Sequence, residues 1–513
     1  MTKLPAVLLF LAPFLAHAAP DYADIAVISI ETEEELDVLR EDGFQVTTAW
    51  PGHAEVYLRG NDQERLEARG YPVTIVDRER PPPPGPKSAP GPETLGQYHD
   101  YEAVTGFLEY YADAYPELTE LSSAGRSVEG RELWTLLITP EPETRHERPV
   151  FRYISTMHGD EPVGTEMLLY FIDLLLTGYG QDERITELVD STTIWIMPLM
   201  NPDGLESGRR NNANNIDLNR AFPDYRDNFT ETIFPDENVD TGGFQPEVRH
   251  VMEWSNAERF DLTANFHTGA LVVNYPYDHE PGVPSGAEAP APDDALFREL
   301  SMRYAEQNAP MMQNPAFPGG ITNGSAWFAI QGGMQDWTYR FTGAPAVTIE
   351  LSNQKRPPAS TLPGYWEDNR EAMLRYAESI HMSLRGQVTD MRTGEPVYAR
   401  VTVEDNEQPV FTHPESGWYT RLLLPGTHDL TVNAPLYAPA WLSRAETGDE
   451  AHAELVFADV NRDGGVNAQD IQLIINEALG IPTPADIIRD PTGSGSANAQ
   501  DIQHVINAVL HGT

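Results

Sequence analysis

The segment His158-Gly159-Asp160-Glu161-Pro162 sets an imidazole and a carboxylate three residues apart, directly after an apolar run. Zinc takes such ligands at about 2 Å, and two side chains leaving one strand-to-helix turn can face a single point. An ordinary ion pair would present the same two residues, so a third ligand has to come from elsewhere. His267, at the end of Asp261-Leu262-Thr263-Ala264-Asn265-Phe266, is the candidate, 109 residues beyond His158. A histidine satisfied in the core is its alternative. Arg209, Arg210, Asn211-Asn212-Ala213-Asn214 and Asp217-Leu218-Asn219-Arg220 then concentrate guanidinium and amide groups in one stretch. Beside a metal these suit an anionic substrate group, because Arg grips a carboxylate with two parallel hydrogen bonds; solvated loop charge is the competing explanation. Glu350 follows the apolar Val347-Thr348-Ile349. A glutamate there is costly if buried without partner or function, and next to a metal site it can take a proton from water and pass it to a leaving amine. Pairing with an arginine is its plain competitor.

These groups need elements to hold them. Strands are expected over 150–157, 192–197, 262–266 and 346–349, with a helix over 163–176, and the polar signals fall just after the strands, where open α/β sheets place their sites. The large α/β unit spans 95–384. Before it, 21–79 alternates short β-like runs (25–30, 54–58, 73–76) with helical stretches (33–41, 63–69), a small α/β domain whose position alone does not separate an assembly aid, an inhibitory pro-domain and a passive module. Pro81-Pro82-Pro83-Pro84 marks 80–94 as a locally stiff linker. After it, 385–455 turns to short β segments (386–388, 399–403, 417–423, 428–432), expected to form a small β-sandwich.

The tail, 456–513, repeats itself: Gly465-Val466-Asn467-Ala468-Gln469-Asp470-Ile471-Gln472 recurs 31 residues later as Ser496-Ala497-Asn498-Ala499-Gln500-Asp501-Ile502-Gln503. Asp459, Asn461, Asp463, Gly465, Asn467 and Asp470 occupy positions 1, 3, 5, 7, 9 and 12 of a loop with Gly464 at 6, the oxygen array that calcium prefers. The second loop keeps Asp490, Asn498 and Asp501 but places Thr492 and Ser494 where stronger oxygen ligands belong.

The whole chain has 513 residues, which predicts three or four domains, and its 34 basic against 79 acidic side chains give a formal charge of -45. Such acidity argues against an extended nucleic-acid surface and against anionic membranes. Without cysteine there are no disulfides and no thiolate ligands or nucleophiles. Residues 1–18, with one Lys, an apolar run and Ala16-His17-Ala18, have the layout of a cleaved signal peptide, so a secreted or periplasmic protein is expected, and no later stretch is apolar enough to span a bilayer.

Six motifs resemble, in order, the zinc metallocarboxypeptidases, particularly their carboxypeptidase N/E subfamily: His158-Gly159-Asp160-Glu161, Asn201-Pro202-Asp203-Gly204, Asp217 to Pro223, His267 to Asp278, Gly332 to Tyr339 and Thr348 to Ser352. The resemblance implies an α/β, mixed-sheet zinc carboxypeptidase domain with Zn(2+) held by His158, Glu161 and His267. It implies Glu350 as base, Arg210 at the scissile carbonyl with Arg209 as its alternative, and Asn219 and Arg220 on the free C-terminal carboxylate. Tyr339 would close over the substrate, and Asp278 would receive a C-terminal Lys or Arg. It also implies a transthyretin-like module at 385–455. The loop-and-helix tail resembles dockerin modules, implying Ca(2+) and a cohesin-like partner. The expected partners are therefore peptide or protein C-termini, with no nucleic acid and no membrane span. A peptidoglycan-stem or other amide hydrolase with the same zinc set, and a non-catalytic peptide-binding or adhesion protein, are the rival functions.

Overall fold

A computed structural model describes residues 22–32, 34–50, 52–80, 91–224 and 244–511. The expected signal peptide and residues 81–90 of the linker lie outside them. The chain divides between Glu79 and Arg80 into two compact units.

In the first unit, strand Asp24–Ser29 is flanked by His53–Leu58 and Val73–Arg78, and Gln45–Trp50 completes a four-stranded sheet, all pairs antiparallel. With helices Glu34–Glu41 and Asp62–Ala68 this is a βαββαβ arrangement of ferredoxin-like order. Strand Gln45–Trp50 went unread in the sequence because Thr47 and Thr48 interrupt its apolar alternation.

The second unit is built on an eight-stranded sheet in the order Ile321–Asn323, Leu271–Tyr275, Ala346–Leu351, Leu262–His267, Val150–Ser155, Thr193–Met197, Glu132–Ile138, Thr119–Arg126. The four strands from Ala346–Leu351 to Thr193–Met197 run parallel. They are buried on both faces, which is why they read as near-continuous apolar runs. One face packs on helices Val163–Gly178, Asp294–Ala305 and Leu362–Glu378 through residues such as Leu168, Phe297 and Met373. The other packs on Pro246–Glu258 and Met334–Thr342 through Val251, Met334 and Trp337. The outermost strand Thr119–Arg126 is largely polar and gave little sequence signal.

Two further four-stranded sheets follow. Trp418–Leu422, Ser383–Asp390, Ala453–Phe457 and Tyr437–Ala438 form one, and Asn406–Phe411, Arg400–Val403, Thr427–Asn433 and Ala440–Glu446 the other. They share an apolar cluster that includes Leu384, Val388, Val401, Val432 and Leu455. Strand Ala453–Phe457 carries this double-sheet module across residue 455, into the segment counted from the sequence as tail. The tail helices Ala468–Ala478 and Ala499–His511 bury Ile474, Val505 and Ala508 together with Ala438 and Val456 of that sheet edge. No helix among the described residues is long and apolar enough to cross a membrane.

Candidate active site

Parallel pairing of Val150–Ser155 with Leu262–His267 sets Ser155 beside Phe266, so both strands deliver their following residues to one sheet end. His158 and Glu161 leave the turn after the first strand, and His267 closes the second. The turn is tight: a Cβ on Gly159 would lie 2.0 Å from the Gly204 carbonyl carbon, so glycine is required for the close approach.

His158 Nδ1 lies 3.0 Å from His267 Nδ1, His267 Nδ1 lies 3.0 Å from Glu161 Oε2, and His158 Nδ1 lies 3.2 Å from Glu161 Oε1. Two imidazole nitrogens and a carboxylate facing one another at these separations match the edges of a tetrahedron with about 2 Å metal bonds, which are about 3.3 Å long. The donors therefore fit zinc, and among the described residues this is the one group that brings three His or carboxylate donor atoms within 4.8 Å of one another.

The next layer of contacts was only partly legible. His158 Nε2 meets Asp217 Oδ1 at 3.0 Å, which fixes the ring with Nδ1 toward the other ligands. Asp217 also accepts Arg210 Nε at 3.1 Å and the Asn219 amide at 2.9 Å. Burial would raise its carboxyl, but the charges of Arg210, His158 and Arg220 hold it well below the usual range. Asp217→Asn is expected to weaken zinc affinity about 10- to 100-fold, measured by competition with a chromogenic chelator; unchanged affinity would count against the role.

Glu161 Oε1 accepts Arg210 Nη1 at 3.0 Å and Lys355 Nζ at 2.9 Å, and its Oε2 accepts the Thr268 amide at 3.1 Å. Burial opposes ionisation here, yet Lys355 and His158 outweigh it and keep this carboxyl well below its ordinary value. Sequence reasoning missed Lys355; its only signal was rarity, Lys3, Lys87 and Lys355 being the chain's only lysines. Of the two arginines left open by spacing, Arg210 is the one on Glu161 and Asp217, while the half-buried Arg209 follows the helix Pro202–Ser207 with its amide on the Gly204 carbonyl.

Glu350 pairs in register with His267 on the neighbouring parallel strand, beside the three ligands. Its Oε2 is buried with no hydrogen-bond partner among the described residues. Burial, then the Glu161 charge, pushes its carboxyl up to about 8, against the pull of Lys355 and Arg210.

A second cluster adjoins the first through Arg220, whose charge acts on both Asp217 and Asp278. Asp278 is 2% exposed, and its Oδ1 accepts Asn274 Nδ2 at 3.0 Å and Gln335 Nε2 at 2.8 Å. Burial pushes its carboxyl up to about 6, against the Asn274 hydrogen bond and the charge of Arg220. Gly324 leaves room for it: a Cβ there would stand 2.0 Å from Asp278 Oδ1. Asp336 accepts the amides of Asp278 and His279 at 2.9 and 3.1 Å, and Asn219 Oδ1 accepts the Met334 amide at 3.0 Å. Gln335 and Asp336 stood inside a motif already singled out, but nothing in their spacing pointed toward Asp278.

Tyr339 is placed differently from expectation. It is fully buried, its hydroxyl donates to Asp293 Oδ2 at 2.7 Å, and its ring packs edge-on against Phe297. A side chain so enclosed does not close over a substrate; the motif spacing placed it on the right helix but on the side turned to the core.

In the tail, Asp459 accepts the amides of Asp463 and Gly464, and Asp470 those of Asn461 and Asn467. Asn461 Nδ2 donates to Asp463 at 2.9 Å, while the Gly465 amide donates to Asp463 Oδ1 at 3.0 Å. The second loop is closed by Thr492, whose hydroxyl and amide both donate to Asp501 Oδ1 at 2.8 and 2.9 Å.

Comparison with known proteins agrees with this geometry. The family profile described as zinc carboxypeptidase matches residues 104–372, and that of the dockerin type I domain matches 457–510. Carboxypeptidase D of Mus musculus is 38% identical over 83% of this chain, which spans 31% of that protein's length. Carboxypeptidase M of Mus musculus is 40% identical over 67% of this chain and 78% of its own length. The carboxypeptidase N catalytic chain of Homo sapiens is 36% identical over 67% of this chain and 81% of its own. Among solved structures, carboxypeptidase A from Helicoverpa armigera covers 71% of this chain and 98% of its own with a TM-score of 0.55 at 17% identity, a likeness of fold.

Proposed function

Because the chain belongs to the zinc carboxypeptidase family, we propose that it hydrolyses the last peptide bond of peptides and proteins and releases a C-terminal Lys or Arg. The observation that carries this reading is the buried Glu350 Oε2, without a hydrogen-bond partner among the described residues, beside three converging zinc donors, with a buried, space-relieved Asp278 in the adjoining cluster. His158, Glu161 and His267 would hold zinc, which when bound would supply Lewis acidity toward the scissile carbonyl and water. Glu350 accepts the water proton and returns it to the leaving amine. Arg210, held by Asp217 at Nε, offers its guanidinium to the oxygen that gains charge. Asn219 and Arg220 take the free carboxylate. Asp278 receives the basic side chain, which also favours the N/E-type subfamily.

Release of amino acid from matched peptides ending in Arg, Lys, Phe or an amide tests the reading. Chelator-sensitive release of Arg and Lys, and none from the amide, is expected. Activity that ignores the C-terminal carboxylate would favour an amide hydrolase, and silence with zinc bound a peptide-binding protein. The same panel, run on chain cut within 80–94, tests the proposal that 21–79 is an inhibitory pro-domain, which equal rates would remove.

For the tail, Asp459, Asn461, Asp463, Gly465, Asn467 and Asp470 form the proposed calcium loop, and a cohesin-like domain on a secreted assembly is the proposed partner, in keeping with the dockerin profile. The second loop, already closed by Thr492, binds calcium more weakly. Titration with calcium is expected to show one tight site per chain and a loss of helical signal on chelation; two equal tight sites would contradict the difference between the loops. The double-sheet module stands where the resemblance places a transthyretin-like module.

A further inference from the structure

Helix Met334–Thr342 is gripped from two sides. At its start, the Met334 amide holds Asn219 Oδ1 at 3.0 Å and Gln335 Nε2 holds Asp278 Oδ1 at 2.8 Å. Farther along, Tyr339 donates its hydroxyl to Asp293 Oδ2 at 2.7 Å. Asp293 is 7% exposed, and both of its oxygens accept Nη2 of the fully buried Arg421, at 2.9 and 3.0 Å. Asn406 Nδ2 adds a bond to Asp293 Oδ1 at 2.6 Å, and Gln408 Nε2 donates to the Tyr339 carbonyl at 3.1 Å. The helix ends at Gly343, with φ of +80°, so near the double-sheet module that a Cβ would lie 2.2 Å from the Pro409 carbonyl oxygen. Arg421, Asn406, Gln408 and Pro409 all belong to that module.

A buried charge pair recovers its desolvation cost only in good geometry, so Asp293 and Arg421 favour one docked pose over its neighbours. Nine helical residues make a stiff rod of about 13 Å, and a shift at one end reaches the other. We infer that the double-sheet module is part of the specificity apparatus: Arg421, Asn406 and Gln408 are positioning residues that set, through Tyr339 and its helix, where Gln335 holds the Asp278 carboxylate. The inference rests on the proposed role of Asp278 as receiver of the basic side chain.

The test uses the full chain carrying Asn406→Ala, Gln408→Ala, both together, and Arg421→Met, with zinc content and melting temperature recorded for each. Expected is a rise in KM for an Arg-ending peptide of about five- to tenfold in the double variant, with kcat within about twofold and a reduced preference for Arg over Phe. Folded variants whose KM and preference match the parent, whatever their melting temperature, overturn the inference. Asn406→Ala and Gln408→Ala remove single amide hydrogen bonds to Asp293 and to the Tyr339 carbonyl and leave the Asp293–Arg421 pair in place, so they decide the matter even if Arg421→Met does not fold. The parent protein and Asp278→Asn are run alongside. A parent without preference for Arg sinks the Asp278 reading and the inference with it. A parent whose preference falls in Asp278→Asn but holds in the module variants sinks the inference alone.

Discussion

Glu350→Gln is expected to lower kcat by about 10²- to 10⁴-fold, the range that a positioned general base contributes, while zinc remains bound. Glutamine fills the same volume on strand Ala346–Leu351 and keeps the pairing with His267, so the fold has no reason to change. The carboxylate has no partner of its own at Oε2, so no structural bond is lost there. Because the residue is spent on proton transfer and not on holding substrate, KM is expected to move little. Metal analysis of the purified variant, together with kcat and KM on an Arg-ending peptide, checks this. A variant with full zinc and more than a tenth of the parent rate would remove Glu350 from the mechanism.

The second large effect is at Asp278. Truncating one partner of a buried charge pair costs about 2–5 kcal/mol, so Asp278→Asn is expected to lower kcat/KM for Arg- and Lys-ending peptides by about 30-fold or more, with Phe-ending peptides nearly unaffected. The parent should lose activity on basic peptides as pH falls through about 6, where Asp278 takes up a proton in the free enzyme. The linkage to stability has the opposite sense. Burial raises this carboxyl from 3.8 to about 6, so its contribution favours folding below pH 3.8 and is lost as pH rises through 6. Asp278→Asn should therefore be more stable at neutral pH, by at most about 3 kcal/mol, and this gain should fade toward pH 4. Thermal melts of both proteins at pH 4 and pH 7 read it directly. A variant that keeps its preference for Arg, or that melts lower at pH 7, contradicts the assignment.

Much of the zinc site was legible because its signals are local. His158 and Glu161 share one turn, and His267 and Glu350 each end or follow an apolar run, which is how buried parallel strands announce themselves. The repeat in the tail was equally plain, since each copy carries its own loop and helix. Lys355 and Asp217 were harder to see. Their importance lies in a 2.9 Å bond to Glu161 across 194 residues and a 3.0 Å bond to His158 across 59, which neither the rarity of lysine nor the spacing of Asp217 reveals.

Residue type and order by themselves carried the three zinc donors and the succession of zinc carboxypeptidase and dockerin segments, because those depend on which groups exist and on short-range periodicity. Tertiary structure alone decided that Arg210 meets Glu161 where Arg209 does not, and that Tyr339 turns inward to Asp293. It alone decided, too, that a β module more than sixty residues farther along the chain braces the helix beside Asp278. Such facts depend on which side of a helix faces the core and which distant strands pack against it. Sequence spacing leaves that choice open until burial and charge pairing settle it.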